Sequence, residues 1–168
     1  MIITDSAPLI RQWVSQENLN KIDHWIAKYP AEERQSAVMA ALMIVQEEQG
    51  YLSSEMMDAV AAYLGMPAVA VYEVASFYTM YEHKPCGRNL INVCTNISCQ
   101  LRDSAAIVRR LEETLAIRLG ETTPDGRFTL RSVECLGACV NAPMMQVNKN
   151  YHENLTVDTV DAVLEHYL

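Results

Sequence analysis

Five cysteines occur in this chain of 168 residues, and four of them form two pairs. Cys94 and Cys99 bracket four residues in "VCTNISC", and Cys135 and Cys139 bracket three in "VECLGACVNAP". Four thiolates are soft ligands that suit a structural zinc ion or an iron-sulfur cluster, both tetrahedral at the metal. Zinc sites favour tighter C-x2-C knuckles. A binuclear [2Fe-2S] rhombus is longer than a single ion and can be gripped from two loops that each supply two thiolates, which the wider spacings here suit better. On spacing alone, zinc ligation and inert buried thiols stay open. The pattern departs from the plant-type C-x4-C-x2-C arrangement, and no Cys-x-His pair points to a Rieske centre. Gly137, inside the second pair, can adopt a positive φ and bring backbone N–H groups toward sulfur, which raises a cluster's reduction potential. Asn96, Ser98 and Asn141 are candidate hydrogen-bonding partners or loop caps. Pro143 is placed to shape the exit from the second loop. Cys86, in "HKPCGRN", has no partner at motif spacing and reads as a bystander.

The elements that must position these residues change character near Pro85. Before it, apolar residues recur at helical spacing in four sets: Leu19, Ile22, Ile26 and Tyr29; Val38, Ala41, Leu42 and Val45; Met57, Val60, Ala61 and Leu64; Val71, Val74, Ala75 and Tyr78. Pro30 and Gly50 break the pattern. Ser53 or Ser54 can cap the third helix, Gly65 ends it, and Pro67 sits near the first turn of the fourth. After Pro85, residues 88–94 read as a strand, and Leu101, Ala105, Val108, Leu111, Leu115 and Leu119 predict a long amphipathic helix that stops at Gly120. A turn at 124–126 leads to a second strand over 127–134. "MMQVN" and the residues after Lys149-Asn150 predict a short hairpin, and a last helix runs from a cap at Thr156 with Val160, Val163, Leu164 and Tyr167 on one face. The pattern is α+β: a helical region over 1–84, then a mixed sheet with flanking helices over 85–168. A strand-helix-strand unit makes parallel strands, so the C-terminal ends of the two strands share one sheet edge. Both cysteine pairs sit at those ends, where open α/β sheets tend to place ligands.

Composition excludes several classes. Residues 1–85 carry 5 basic and 11 acidic side chains and residues 86–168 carry 8 and 10, net charges of -6 and -2. No basic stripe results, so nucleic acid is not an expected partner. The longest apolar run, residues 37–45, is nine long, against the roughly 18 of a membrane span. "MIITDSAPLIRQW" lacks the features of a secretory leader. The expectation is a soluble intracellular protein without direct membrane insertion, whose odd number of cysteines serves metal or redox chemistry rather than disulfides. None of the six glycines forms a G-x-G-x-x-G or P-loop arrangement, so the chain shows no recognisable dinucleotide or phosphate cradle. A thioredoxin-like thiol oxidoreductase would want C-x-x-C near a helix N-terminus.

Together, "VCTNISC", "DGRFTLRSVECLGACVNAPMMQVN" and the helical lead-in "ALMIVQEEQGYLS…VAAYLGMPAVAVYEVASFYTMY" resemble the small [2Fe-2S] subunits of bacterial NADH:quinone oxidoreductase (respiratory complex I). The likeness runs from about residue 19 to the end, and Cys86 lies outside its pattern. It implies a thioredoxin-like ferredoxin domain at the C-terminus and one binuclear cluster on Cys94, Cys99, Cys135 and Cys139. It further implies a partner, the flavoprotein subunit, that holds FMN and NADH, with the cluster exchanging single electrons with the flavin off the main chain of clusters leading to quinone. The protein would then sit in the cytoplasm, peripheral to the inner membrane, among the other peripheral-arm subunits, and would not be catalytic alone. The equivalent subunit of an NAD-linked hydrogenase or formate dehydrogenase is an alternative, and a zinc-stabilised scaffold is one from a different class.

Overall fold

The computed structural model describes residues 7–168, with side chains from Leu9 onward; residues 1–6, the start of the segment read above for a leader, lie outside the described residues. The chain divides into two compact units, Met1–Pro85 and Cys86–Leu168.

The first unit is helical: α1 (Ala7–Ile10), α2 (Gln16–Ile26), α3 (Val38–Gln49), α4 (Ser54–Leu64) and α5 (Ala68–Phe77), with a 3-10 stretch at Ala31–Ala37. Local chemistry sets the boundaries. Ser15 accepts a hydrogen bond from the Asn18 N–H and Ser53 one from the Met56 N–H, each a cap worth about 1 kcal/mol. Gly50 and Gly65 end α3 and α4 at φ 81° and 71°, where a side chain would be strained. The predicted stripes meet in one core, with Leu19, Ile22, Ala41, Leu42, Val45, Val60, Leu64, Val71 and Ala75 all buried. Tyr29 and Tyr78 depart from expectation, lying beyond the ends of α2 and α5 and partly exposed. Pro30 accounts for the first, since the residue before a proline is pushed out of the helical region. The periodicity also gave no sign of α1 or the 3-10 stretch, which are too short or too irregular to show a repeat.

The second unit is a four-stranded mixed sheet in the order β2-β1-β3-β4, built from β1 (Asn89–Cys94), β2 (Phe128–Val133), β3 (Met145–Val147) and β4 (Asn150–His152). β1 is central, parallel to β2 and antiparallel to β3, and β4 is the antiparallel edge beyond β3. Helices α6 (Ile97–Gln100), α7 (Ser104–Leu115) and α8 (Val157–Glu165) complete it. Ile91, Val93, Phe128, Leu130, Met145 and Val147 of the sheet bury with Ile107, Leu111, Val160 and Leu164 of the helices. The Arg110 guanidinium on α7 grips the Asp161 carboxylate on α8, and Thr114 donates to the same carboxylate at 3.2 Å.

The single long helix expected over 101–119 is corrected to the shorter α7, with α6 a separate turn of helix just before that range. Asp103 interrupts it at φ 64°, and Ala116 ends α7 at φ 54°. Beyond that point Glu112 accepts the Leu119 N–H at 3.1 Å and Glu121 accepts the Arg118 N–H at 2.7 Å, while Gly120 donates its own N–H to Leu130 O at 2.7 Å. Those bonds hold the backbone out of the helix and return it to β2. Gly87 is required by close approach at the start of β1, since a Cβ there would lie 2.7 Å from the Phe128 carbonyl carbon.

Candidate metal centre

The parallel register pairs Cys94 with Val133, so the last residues of β1 and β2 stand side by side, about 4.8 Å apart as neighbouring strands are. Cys94 donates its N–H to Met144 O at 3.2 Å, and Thr95 donates to Val133 O at 2.9 Å. Bonds to both flanking segments therefore fix the end of the central strand. The backbone then turns at Asn96, whose side-chain oxygen accepts the Ile97 N–H at 2.6 Å and starts α6, with Cys99 on that helix. Asn96 thus acts as a cap. Cys94 and Cys99 are 2% and 1% exposed, packed with Ala142 and Met144 and flanked by Leu136 and Ala138. The Cys94 thiol points at Glu134 O at 3.7 Å.

The other two thiols leave β2 on the loop that follows it, and both Cys135 and Cys139 are exposed. Gly137 takes φ 79° and directs its N–H at the Cys135 sulfur at 3.3 Å. A short 3-10 turn, Cys139–Asn141, carries the backbone into a cis Ala142-Pro143 peptide and on to β3. Ties from the far side of the sheet hold this loop. Tyr151 on β4 donates its hydroxyl to Leu136 O at 2.6 Å, Asn141 donates to the Glu153 carboxylate at 2.6 Å, and the Asn154 N–H reaches Asn141 O at 2.8 Å. Asn141 therefore serves the loop's anchorage. Tyr151 and Met144 were not among the residues singled out from the sequence, and no spacing rule could have found them, because both act through strand pairing.

Burial, then the hydrogen bond and charge of Cys94, push the Cys99 thiol up to about 11; Cys139 adds to the rise, and the backbone bond from Met144 opposes it. Three of the four thiols are thus close enough to affect one another. A buried pair of thiolates is costly without a cation, and a coordinating metal is what deprotonates such thiols outright. Among the described residues no three His, Cys, Asp or Glu side chains are gathered around one ion-sized point. The four candidate donors are all sulfur, a deep pair and a surface pair on the loops that follow β1 and β2, and soft sulfur suits an iron-sulfur group. Cys86 lies at the opposite end of β1, where the Arg88 N–H bonds Gly126 O and the Asn89 N–H bonds Arg127 O at the start of β2.

A sequence model of the family described as thioredoxin-like [2Fe-2S] ferredoxin matches residues 22–168. The chain belongs to this family. It is 50% identical over 147 residues to the second E-type subunit of the NADH-quinone oxidoreductase of Rhizobium meliloti, an alignment covering 88% of this chain and 86% of that one. It is 48% identical over 143 residues to the mitochondrial NADH dehydrogenase [ubiquinone] flavoprotein 2 of Dictyostelium discoideum, covering 84% and 58% of the two chains. A crystal structure of an NAD+-reducing [NiFe]-hydrogenase superposes with a TM-score of 0.65 at 22% identity, over 76% of this chain and 22% of that one, a likeness of fold alone. The ferredoxin match opens inside α2, so the helical unit is part of what the family shares.

Proposed function

We propose that Cys94, Cys99, Cys135 and Cys139 hold one [2Fe-2S] cluster and that this chain is the electron-transfer subunit of an NADH:quinone oxidoreductase. The observation that carries the reading is the pairing of Cys94 with Val133, which sets both cysteine loops on one sheet edge in a protein half identical to a component of such an oxidoreductase. When bound, such a cluster supplies one-electron exchange. The chain's own residues provide the rest. Two ladder bonds and α6 fix the inner thiols, and the apolar pocket of Ala142 and Met144 keeps water from them. The outer thiols leave one side of the site open to a partner. Supporting that side as a contact are Ile97, Leu101 and Val140, apolar residues exposed on or beside the two cysteine loops.

The partner in this reading is the flavoprotein subunit, which holds FMN and NADH, since no glycine-rich nucleotide cradle is present here. No helix among the described residues is long and apolar enough to cross a membrane. The chain would accordingly reach the inner membrane's cytoplasmic face through the complex, with the acidic helical unit among its docking surfaces. Co-purification tests the division of labour. The full-length protein alone should contain iron and acid-labile sulfide yet not oxidise NADH, and should gain NADH oxidation with the co-expressed flavoprotein. A shortened chain beginning near Lys84 should keep its cluster and bind the flavoprotein much more weakly. Colourless, zinc-loaded protein would sink the cluster, and flavin-free NADH oxidation by the single chain would sink the partner.

A further inference from the structure

Tyr151 reaches the metal centre without touching it. Its hydroxyl donates to Leu136 O at 2.6 Å, and the N–H of that same peptide unit, belonging to Gly137, points at the Cys135 sulfur at 3.3 Å. One peptide group thus accepts a hydrogen bond on its oxygen and offers one from its nitrogen. Hydrogen bonds in series polarise one another, each strengthening the next by roughly 10–30%. A donor on the carbonyl makes the amide hydrogen more positive and the N–H a better donor to sulfur. Donation to a cluster's sulfurs raises its reduction potential, because reduction adds negative charge that those donors stabilise.

We propose that Tyr151 is a positioning residue that tunes the centre's potential through the Leu136-Gly137 peptide, an inference that rests on Cys135 being a cluster ligand. The fold places it for that role. Tyr151 stands opposite Gln146 on the short edge strand β4, so its ring is carried by a strand that contributes no thiol. Gly137 itself adopts φ 79°, and nothing lies within 4 Å of where its Cβ would be, so no side-chain packing at that point holds the peptide in orientation. Among the described residues, the Tyr151 hydroxyl is the side-chain group bonded to this peptide's carbonyl. The Asn141-Glu153 contact ties down the same loop farther along and does not involve this peptide, which makes it the control.

The test is a redox titration of the cluster-loaded, full-length protein monitored by EPR. Tyr151→Phe should keep the iron content and binuclear signal of the wild type with a midpoint potential shifted to more negative values. Replacing Tyr151 with 3-fluorotyrosine, a more acidic and stronger donor at the same atom, should shift it the other way, and this arm decides the matter if the Phe variant loads poorly. Glu153→Ala removes a negative charge along with the Asn141 tie, so it should leave the potential unchanged or move it to more positive values, opposite to Tyr151→Phe. An unchanged potential in both Tyr151 variants, or an equal shift to more negative values in Glu153→Ala, overturns the relay while leaving the ligand assignment intact. Wild-type protein without a binuclear signal would overturn the site reading and this inference with it.

Discussion

The two cysteine loops carry the same candidate donor atoms and hold them by different means. The loop after β1 places Cys94 with backbone ladder bonds on both sides and Cys99 on a capped helix, and both thiols are buried. The loop after β2 has no such frame. It depends on one left-handed glycine, on side chains reaching across from β4 and the turn beyond it, and on the Asn154 backbone bond to Asn141, and its thiols are exposed. The difference follows from strand position: β1 has a neighbour on each side and β2 has one. A centre built this way has an inner pair shielded from solvent and an outer pair accessible to a partner, and the two pairs should respond differently to the same perturbations.

The largest expected effect is common to both pairs and tests whether they act together. Cys94→Ala, Cys99→Ala, Cys135→Ala and Cys139→Ala should each lose nearly all of the binuclear signal of the dithionite-reduced protein, whereas Cys86→Ala should keep it. Full iron occupancy in Cys139→Ala would remove the outer pair from the site and the comparison with it. A smaller effect separates the pairs in the metal-free protein. With Cys99 at about 11 against an ordinary 9.0, its thiolate fraction at neutral pH is about a hundredfold below that of an unperturbed thiol. Timed alkylation read by mass spectrometry should therefore label Cys135 and Cys139 well before Cys99, and equal rates would contradict the burial asymmetry.

The smallest effect is on stability. Removing the buried sulfur of Cys99 should cost the metal-free protein about 1 kcal/mol in denaturant unfolding, and removing that of exposed Cys135 less than about 0.5 kcal/mol. The pH dependence has a defined sign. A thiol whose pKa is raised by folding stays protonated in the native state while the unfolded chain ionises, so its contribution is complete below 9.0 and is lost as pH rises toward about 11. That alkaline loss should be reduced in Cys99→Ala. An identical alkaline profile in wild type and variant would assign the loss to other groups.

Much of this protein is legible locally. The four paired cysteines, their C-x4-C and C-x3-C spacings and the freedom of Gly137 are properties of a few consecutive residues, and the helical stripes of α2 to α5 follow from the 3.6-residue repeat. The caps at Ser53 and Thr156 are equally local, each closing on a backbone N–H three residues on. The parallel arrangement of β1 and β2 also followed from chain order, since a crossover helix leaves little choice. The periodic leucines from 101 to 119 misled because amphipathic spacing cannot see Asp103 in a left-handed conformation or Gly120 captured by Leu130 of β2. Tertiary structure alone decided that β3 pairs with β1, so that Met144 covers Cys94, and that β4 carries Tyr151 to Leu136. Sequence determined which atoms could bind a metal because ligand identity is covalent. Which pair is buried, and which peptide is held against sulfur, depends on strands and loops distant in the chain meeting in space, and that is settled only when the sheet's order and register form.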